Sequence, residues 1–294
     1  MDLRHLRYFA CVADEMHFGR AAKRLGISQP PLSQQIRGLE DELGVQLFDR
    51  TSRRVRLTEA GQLFLPEALA TIAQAERAVD TARRVRAGEV GRLSVSFTTS
   101  APFVPEIAGA LYTFRHRNRD VELTLAELGR DEQITGVDQG HIDIGIVRGF
   151  EPPALPAGME SRCVLTEDMI LTMRSDHRLA AMKTPIKLSA LAGEPFVIYD
   201  AAIGAGFNEH FIAMCVEAGF NLRISQEASS LATLLGLVSA GFGLTVIARS
   251  LTRLHPEELV YRLIDDPRFV SRLWLIHRHA PSPTARAFLD CIAG

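Results

Sequence analysis

The chain has 294 residues, of which 47% are hydrophobic and 23% charged, and its formal net charge is −2. That length suits two domains with a joining segment, and the composition is that of a soluble globular protein. No run of eighteen apolar residues occurs, so a membrane span is not expected, and the near-zero charge argues against a chain that coats nucleic acid over its whole surface.

The first residues, Met1-Asp2-Leu3-Arg4-His5, lack the basic-then-apolar pattern of a signal peptide, so a cytoplasmic protein is expected. Residues 1–92 hold 15 basic against 12 acidic side chains, whereas the remainder holds 18 against 23. A mildly basic N-terminal part on an acidic body fits a DNA-binding module that carries a second domain. Leu3, Leu6, Phe9, Ala10, Ala13 and Met16 recur at helical spacing. A short second helix over Phe18 to Leu25 ends at Gly26, where a left-handed backbone costs nothing. Ser28 is placed to cap a third helix, with Pro30 and Pro31 in its first turn.

In that third helix Leu32, Ile36, Leu39 and Leu43 form one apolar stripe. Gln29, Pro30, Ser33, Gln34 and Arg37 fall on the other side or at the entrance. Most polar helix faces are merely solvated, but glutamine and arginine are also the side chains that read adenine and guanine edges. The short helix, glycine turn and following helix together describe a helix-turn-helix. Glu40, Asp41 and Glu42 at its far end are expected to face away from DNA. Val45 to Phe48 and Val55 to Leu57 read as two strands around a basic hairpin bearing Arg53 and Arg54, a wing suited to phosphates.

These residues closely resemble the DNA-binding domain of the LysR-type transcriptional regulators. The match runs through Leu6-Arg7-Tyr8-Phe9, Ala21-Ala22-Lys23-Arg24-Leu25 and Ile27-Ser28-Gln29-Pro30-Pro31-Leu32-Ser33. It continues through Gln35-Ile36-Arg37-Gly38-Leu39-Glu40 and Leu43 to Arg50, and ends on Leu57-Thr58-Glu59-Ala60-Gly61. The resemblance implies that Gln29, Pro30 and Ser33 approach bases and that the wing arginines enter a groove. Many members of that family carry arginine at the position of Gln34, so base preference there is open.

Thr58 is placed to cap a long helix reaching about Val90, with Leu65, Leu69, Ile72, Ala75, Val79 and Ala82 along one seam. The seam fits packing on its own chain, while the resemblance favours a second subunit. A kink is expected near 62–66, because Pro66 clashes with the carbonyl of Gln62. From Gly91 strands and helices alternate: strands at 93–97, 121–127 and 142–147, and helices at 102–116 and 131–139. A Pro/Gly-rich crossover over 151–158 follows, then a second unit from about Cys163 to Arg268. Trp274-Leu275-Ile276 and a helix over 284–292 return to the first unit. Alternation of this kind predicts parallel pairing in an α/β fold.

The expected organisation is a winged helix-turn-helix at 1–58, a linker and dimerisation helix at 59–90, and an effector domain at 91–294. Within the last, lobe I takes 91–162 and 269–294, and lobe II takes 163–268. By resemblance this is a two-lobed fold like that of periplasmic solute-binding proteins, and Ile142-Asp143-Ile144-Gly145-Ile146 and Ala240-Gly241-Phe242-Gly243-Leu244 carry the likeness. Ligands of such folds lie at strand ends and helix starts between the lobes. Thr98, Thr99, Ser100, Arg130, Arg148, Phe103, Ile203 and Phe207 are the candidate contacts for a small organic anion, with a carboxylate and an apolar or aromatic body. Ser100 equally suits a helix cap, and Phe207 the core.

The resemblance is nearest to members that sense intermediates of aromatic degradation. It implies promoter inverted-repeat DNA, a self-assembled dimer or tetramer, and RNA polymerase as a further partner. No catalytic triad, metal cluster or phosphate loop emerges, and Cys11, Cys163, Cys215 and Cys291 show no ligand spacing. Neither an enzyme nor a cofactor is expected. A solute-binding protein without DNA function is disfavoured by the whole N-terminal module.

Overall fold

The structure, a computed structural model, describes every residue except 52, 53, 202–205, 255 and 294. The chain divides into two compact units, Met1–Arg84 and Val85–Gly294.

In the first unit α1 (Leu3–Glu15) is capped by Asp2, whose carboxylate accepts from the backbone N–H of Arg4 and His5. Helix α2 (Phe18–Leu25) stops at Gly26, whose φ of +71° is the left-handed turn that glycine accepts freely. Helix α3 (Gln29–Leu43) follows at once. Apolar residues at one face of each helix meet in a single core, in which Phe9, Ala21, Leu32, Ile36 and Leu39 are wholly buried.

The wing is an antiparallel pair, β1 (Phe48–Thr51) and β2 (Arg54–Leu57). Its first strand starts three residues later than the apolar run from Val45 predicts. Val45 and Gln46 are exposed, and Val45 N–H bonds to the Glu40 carbonyl, closing the end of α3. Thr58 caps α4 (Glu59–Ala87) by accepting from Gly61 N–H at 3.0 Å. The helix continues through Pro66 to Ala87.

In the second unit the alternating strands pair in parallel as expected, within a sheet that is mixed as a whole. Strands β3 (Val90–Phe97), β4 (Asp120–Glu127) and β5 (Ile144–Gly149) are parallel to one another, with α5 (Pro105–Arg117) and α6 (Arg130–Asp138) between them in sequence. The sixth strand, β6 (Met159–Arg174), departs from this pattern. Its first part pairs antiparallel with β11 (Val270–Arg278) from Met159 to Asp168. From Met169 onward the same strand lies between β9 (Thr245–Ala248) and β10 (Leu259–Leu263). One unbroken strand therefore belongs to both lobes. The change of partners falls at Asp168–Met169, inside the segment that the sequence reading gave to lobe II from residue 163.

Lobe II is completed by β7 (Pro195–Tyr199), α7 (Phe207–Glu217), β8 (Arg223–Ala228) and α8 (Leu231–Ser239), around a core that includes Phe196, Phe211, Leu234 and Val238. The closing helix α9 (Pro283–Ala293) packs on lobe I through Phe288, which meets Phe114 edge-on at 5.6 Å. Among the described residues no helix is long and apolar enough to cross a membrane.

Gly61 marks the tightest approach in the first unit. A Cβ there would lie 2.1 Å from the carbonyl oxygen of Leu47, a backbone atom that cannot swing aside. Gly61→Ala is expected to destabilise the first unit by about 1–3 kcal/mol through overpacking. Thermal unfolding of the two proteins checks this, and an unchanged midpoint counts against the contact.

Candidate functional site

The α3 face is built by the same periodicity that makes the core. Leu32, Ile36 and Leu39 have no solvent exposure, which turns Gln29, Pro30, Pro31, Gln34 and Arg37 outward, with Ser33 half-buried at the edge. Ser28 departs from its expected role and makes no capping hydrogen bond. Such a serine accepts from the N–H of the second or third helical residue. Here those residues are Pro30 and Pro31, which have no N–H to give. The hydroxyl of Ser28 stays exposed at the helix entrance beside Gln29. The start of α2 is capped instead by His17, whose Nδ1 accepts from Gly19 N–H at 3.0 Å and Arg20 N–H at 3.2 Å.

Glu40, at the far end of α3, is buried within the fold. It is 2% exposed. Its Oε1 accepts from the N–H groups of Leu47 (2.9 Å) and Phe48 (3.1 Å), and its Oε2 from Arg50 Nη2 at 2.5 Å. The Arg50 guanidinium lies 4.9 Å from the centre of the Phe18 ring, while its Nε is buried with no hydrogen-bond partner. One carboxylate thus ties α3 to the root of the wing, and one cation ties the wing to α2. Sequence reading missed both roles. The only signal was the turn at Gly44, which sends the chain back past the end of α3. Of the wing arginines, Arg53 lies outside the described residues. Arg54 opens β2, where its backbone pairs with Thr51.

In the second unit a cavity of about 220 Å³ lies between β-strand ends and helix starts of the two lobes. Thr98, Thr99, Ser100, Arg130, Arg148 and Phe207 line it. Phe103, also expected there, packs instead against the lobe II core, and Ile203 lies outside the described residues. Glu127, Phe150 and Tyr199 line the cavity too, and none was singled out from sequence. They sit at strand ends or in a strand-to-loop turn, where local pattern does not tell which way a side chain points.

The two arginines differ in state. Arg148 is nearly saturated: Nε donates to Ser100 Oγ at 2.7 Å and Nη1 to Ser271 Oγ at 2.9 Å. Its Nη2 lies 2.7 Å from Glu167 Oε1, in an ion pair whose N–H is not aligned for a hydrogen bond. Burial pushes the pKa of Arg148 down, and the adjacent Glu167 carboxylate opposes that shift. Arg130, the first residue of α6, has no ion pair or hydrogen bond among the described residues. It is therefore the unspent positive charge of the cavity. Tyr199 is held above its usual pKa by burial, with the Glu127 carboxylate adding to the effect. The hydroxyl of Thr98 is buried without a partner. Phe150 stacks on Phe207, with ring centres 5.5 Å apart and planes at 24°, giving one wall an aromatic surface.

No groups of three or more His, Cys, Asp or Glu side chains suited to a metal ion occur among the described residues.

Comparison with known proteins covers nearly the whole chain. Residues 3–62 match the family model of the bacterial regulatory helix-turn-helix protein, lysR family, and residues 86–294 match the LysR substrate binding domain. The HTH-type transcriptional regulator YnfL of Escherichia coli (strain K12) is 39% identical, over 98% of this chain and 96% of its own length. The crystal structure of CbnR, a LysR family transcriptional regulator, aligns with a TM-score of 0.85 at 28% identity, covering 99% of this chain and 100% of the other. Full-length CbnR in complex with its target DNA aligns with a TM-score of 0.81 at 27% identity, covering 100% and 99%.

Removing the Glu40 carboxylate leaves two amide groups and a guanidinium without their acceptor. Glu40→Ala is expected to cost about 3–5 kcal/mol, the range for breaking a buried charge pair on one side. Urea unfolding measures it, and a loss under 1 kcal/mol rules out the carboxylate as the tie between helix and wing.

Proposed function

From the premise that the chain belongs to the LysR family of bacterial transcriptional regulators, we propose that it works as a homo-oligomer on a promoter inverted repeat. The chain is a DNA-binding transcription regulator with a substrate-binding domain, and it is not an enzyme. In the proposed reading Gln29, Ser33, Gln34 and Arg37 meet base edges in the major groove, with Ser28, Pro30 and Pro31 at the helix entrance. Arg53 and Arg54 of the wing meet phosphate or the minor groove. The observation that carries this is an outward α3 face whose polar side chains make no hydrogen bond among the described residues. The target-DNA complex of the similar CbnR supports it.

The same proposal gives the second unit a small organic anion as effector. A carboxylate meets Arg130, which stands at the start of α6, where backbone N–H groups add positive potential. The hydroxyls of Thr98, Thr99 and Ser100 supply further donors, and Phe207 with Phe150 flanks an apolar or aromatic body. Arg148 takes a different part from the free counter-charge read from sequence, because Glu167 already matches it. It holds the cavity floor. A guest touching both lobes favours one lobe arrangement over others, and that preference is what couples the cavity to DNA. In this reading the chain acts in the cytoplasm and meets RNA polymerase at the promoter.

Fluorescence anisotropy on the protein's own upstream DNA tests the reading helix. Gln29→Ala or Ser33→Ala is expected to lose about 1–3 kcal/mol on the specific site and little on random DNA. Equal losses on both remove them as base readers. Arg54→Ala is expected to weaken all DNA and to flatten the salt dependence of binding, and an unaltered slope takes it off the phosphate contacts. Thermal-shift screening against small carboxylates tests the cavity. A rise in midpoint that persists undiminished in Arg130→Gln argues against Arg130 as the anion's partner.

A further inference from the structure

Four charged side chains line the cavity: Glu127, Arg130, Glu132 and Arg148. Two of them are already spent. Arg148 is matched by Glu167 and held by Ser100 and Ser271. Glu132 turns back on its own helix, where Oε2 accepts from Gly129 N–H at 3.1 Å and its charge is offset by the positive end of the α6 dipole. Among the described residues what remains is one cation, Arg130, and one anion, Glu127. Among the described residues the hydrogen-bond partner of Glu127 is the Thr99 hydroxyl, which donates to Oε1 at 2.5 Å. A hydroxyl orients a carboxylate but does not neutralise it.

The two unspent charges sit at one corner of lobe I. Glu127 is the last residue of β4 and Arg130 the first of α6, with only Leu128 and Gly129 between them. They are nonetheless not paired with each other among the described residues. The field of Glu127 also reaches across to lobe II, where it bears on the Tyr199 phenol. An anion bound at Arg130 alone would therefore lie near a second, unmatched negative charge. As lobes close and water leaves, that repulsion grows.

We propose that this cavity selects a zwitterionic effector of α-amino-acid type, its carboxylate on Arg130 and its ammonium on Glu127. This rests on the effector reading above and narrows it. The ammonium nitrogen and carboxylate carbon of an α-amino acid are separated by a single tetrahedral carbon, about 2.5 Å apart, so both charges are presented at one end of the guest. The corner offers its two charges from one short turn in the same way. The remaining space then takes the side chain. Met169 and Phe150 supply its apolar wall.

Matched pairs that differ only in the amino group provide the test, with isothermal titration of the full-length protein as readout. The probes are leucine, valine, methionine and phenylalanine, each against its deamino acid, for example leucine against 4-methylpentanoate. At least one amino acid is expected to bind about tenfold or more tightly than its deamino partner. Glu127→Gln is expected to abolish that preference by weakening the amino acid and not the deamino acid. If every deamino acid binds the unaltered protein as tightly as its amino acid, or more tightly, the zwitterion is overturned and the carboxylate effector stands. The same follows from a preference that survives Glu127→Gln. If neither member of any pair binds, the inference and the carboxylate reading both fall.

Discussion

The carboxylate of Glu40 is the point on which the N-terminal unit depends. Burying a carboxylate is costly unless its charge is matched and its lone pairs are used. Here two backbone N–H groups and a guanidinium do both. The backbone donors belong to the residues where the wing begins, so the cost of burial is offset only if the wing root lies in one place. Arg50 passes the constraint on to α2 by lying over Phe18. The two elements that touch DNA in the proposed reading, α3 and the wing, are thereby held in one arrangement with α2 before DNA arrives. The ordering cost is met in folding and not in binding.

The C-terminal unit repeats the device with the signs arranged for another end. Glu167 accepts from the Ser250 backbone N–H and hydroxyl as well as meeting Arg148. Ser100 and Ser271 accept from the same arginine. The participating residues come from both lobes and from β6, the strand the lobes share. Because this network balances its own charges, it adds almost nothing to the net field of the cavity. That field is left to the other charged side chains of the cavity wall, Glu127, Arg130 and Glu132.

Much of this was readable in the sequence, and the reasons are local. The α3 stripe, the glycine that ends α2 and the cap at Thr58 are each set by neighbours a few residues away. Alternation of strands and helices after Gly91 likewise gave an α/β unit. The failures all involve distant partners or competing local chemistry. A serine before two prolines has a capping side chain and nothing to cap. Val45 and Gln46 look like strand, but the chain there is closing the end of α3. Strand β6 escapes because its sixteen residues change neighbours midway, so neither burial alternation nor a turn signal marks its passage between lobes. Arg148 reads as a cation awaiting a ligand because Glu167, nineteen places on, gives no sign of facing it.

The absent cap at Ser28 bears on how such a regulator changes its target. Two prolines begin α3 without needing a side-chain acceptor, and Ser28, Gln29, Gln34 and Arg37 are all exposed. Stability is vested in Leu32, Ile36, Leu39 and Glu40, on the other side of the same helix. Substitutions on one side alter what is read, and those on the other alter whether the helix is held. The two can be varied almost independently. A lineage could drift from one operator to another through these exposed positions without passing through an unfolded intermediate, keeping its sensor intact while it acquires new genes to control.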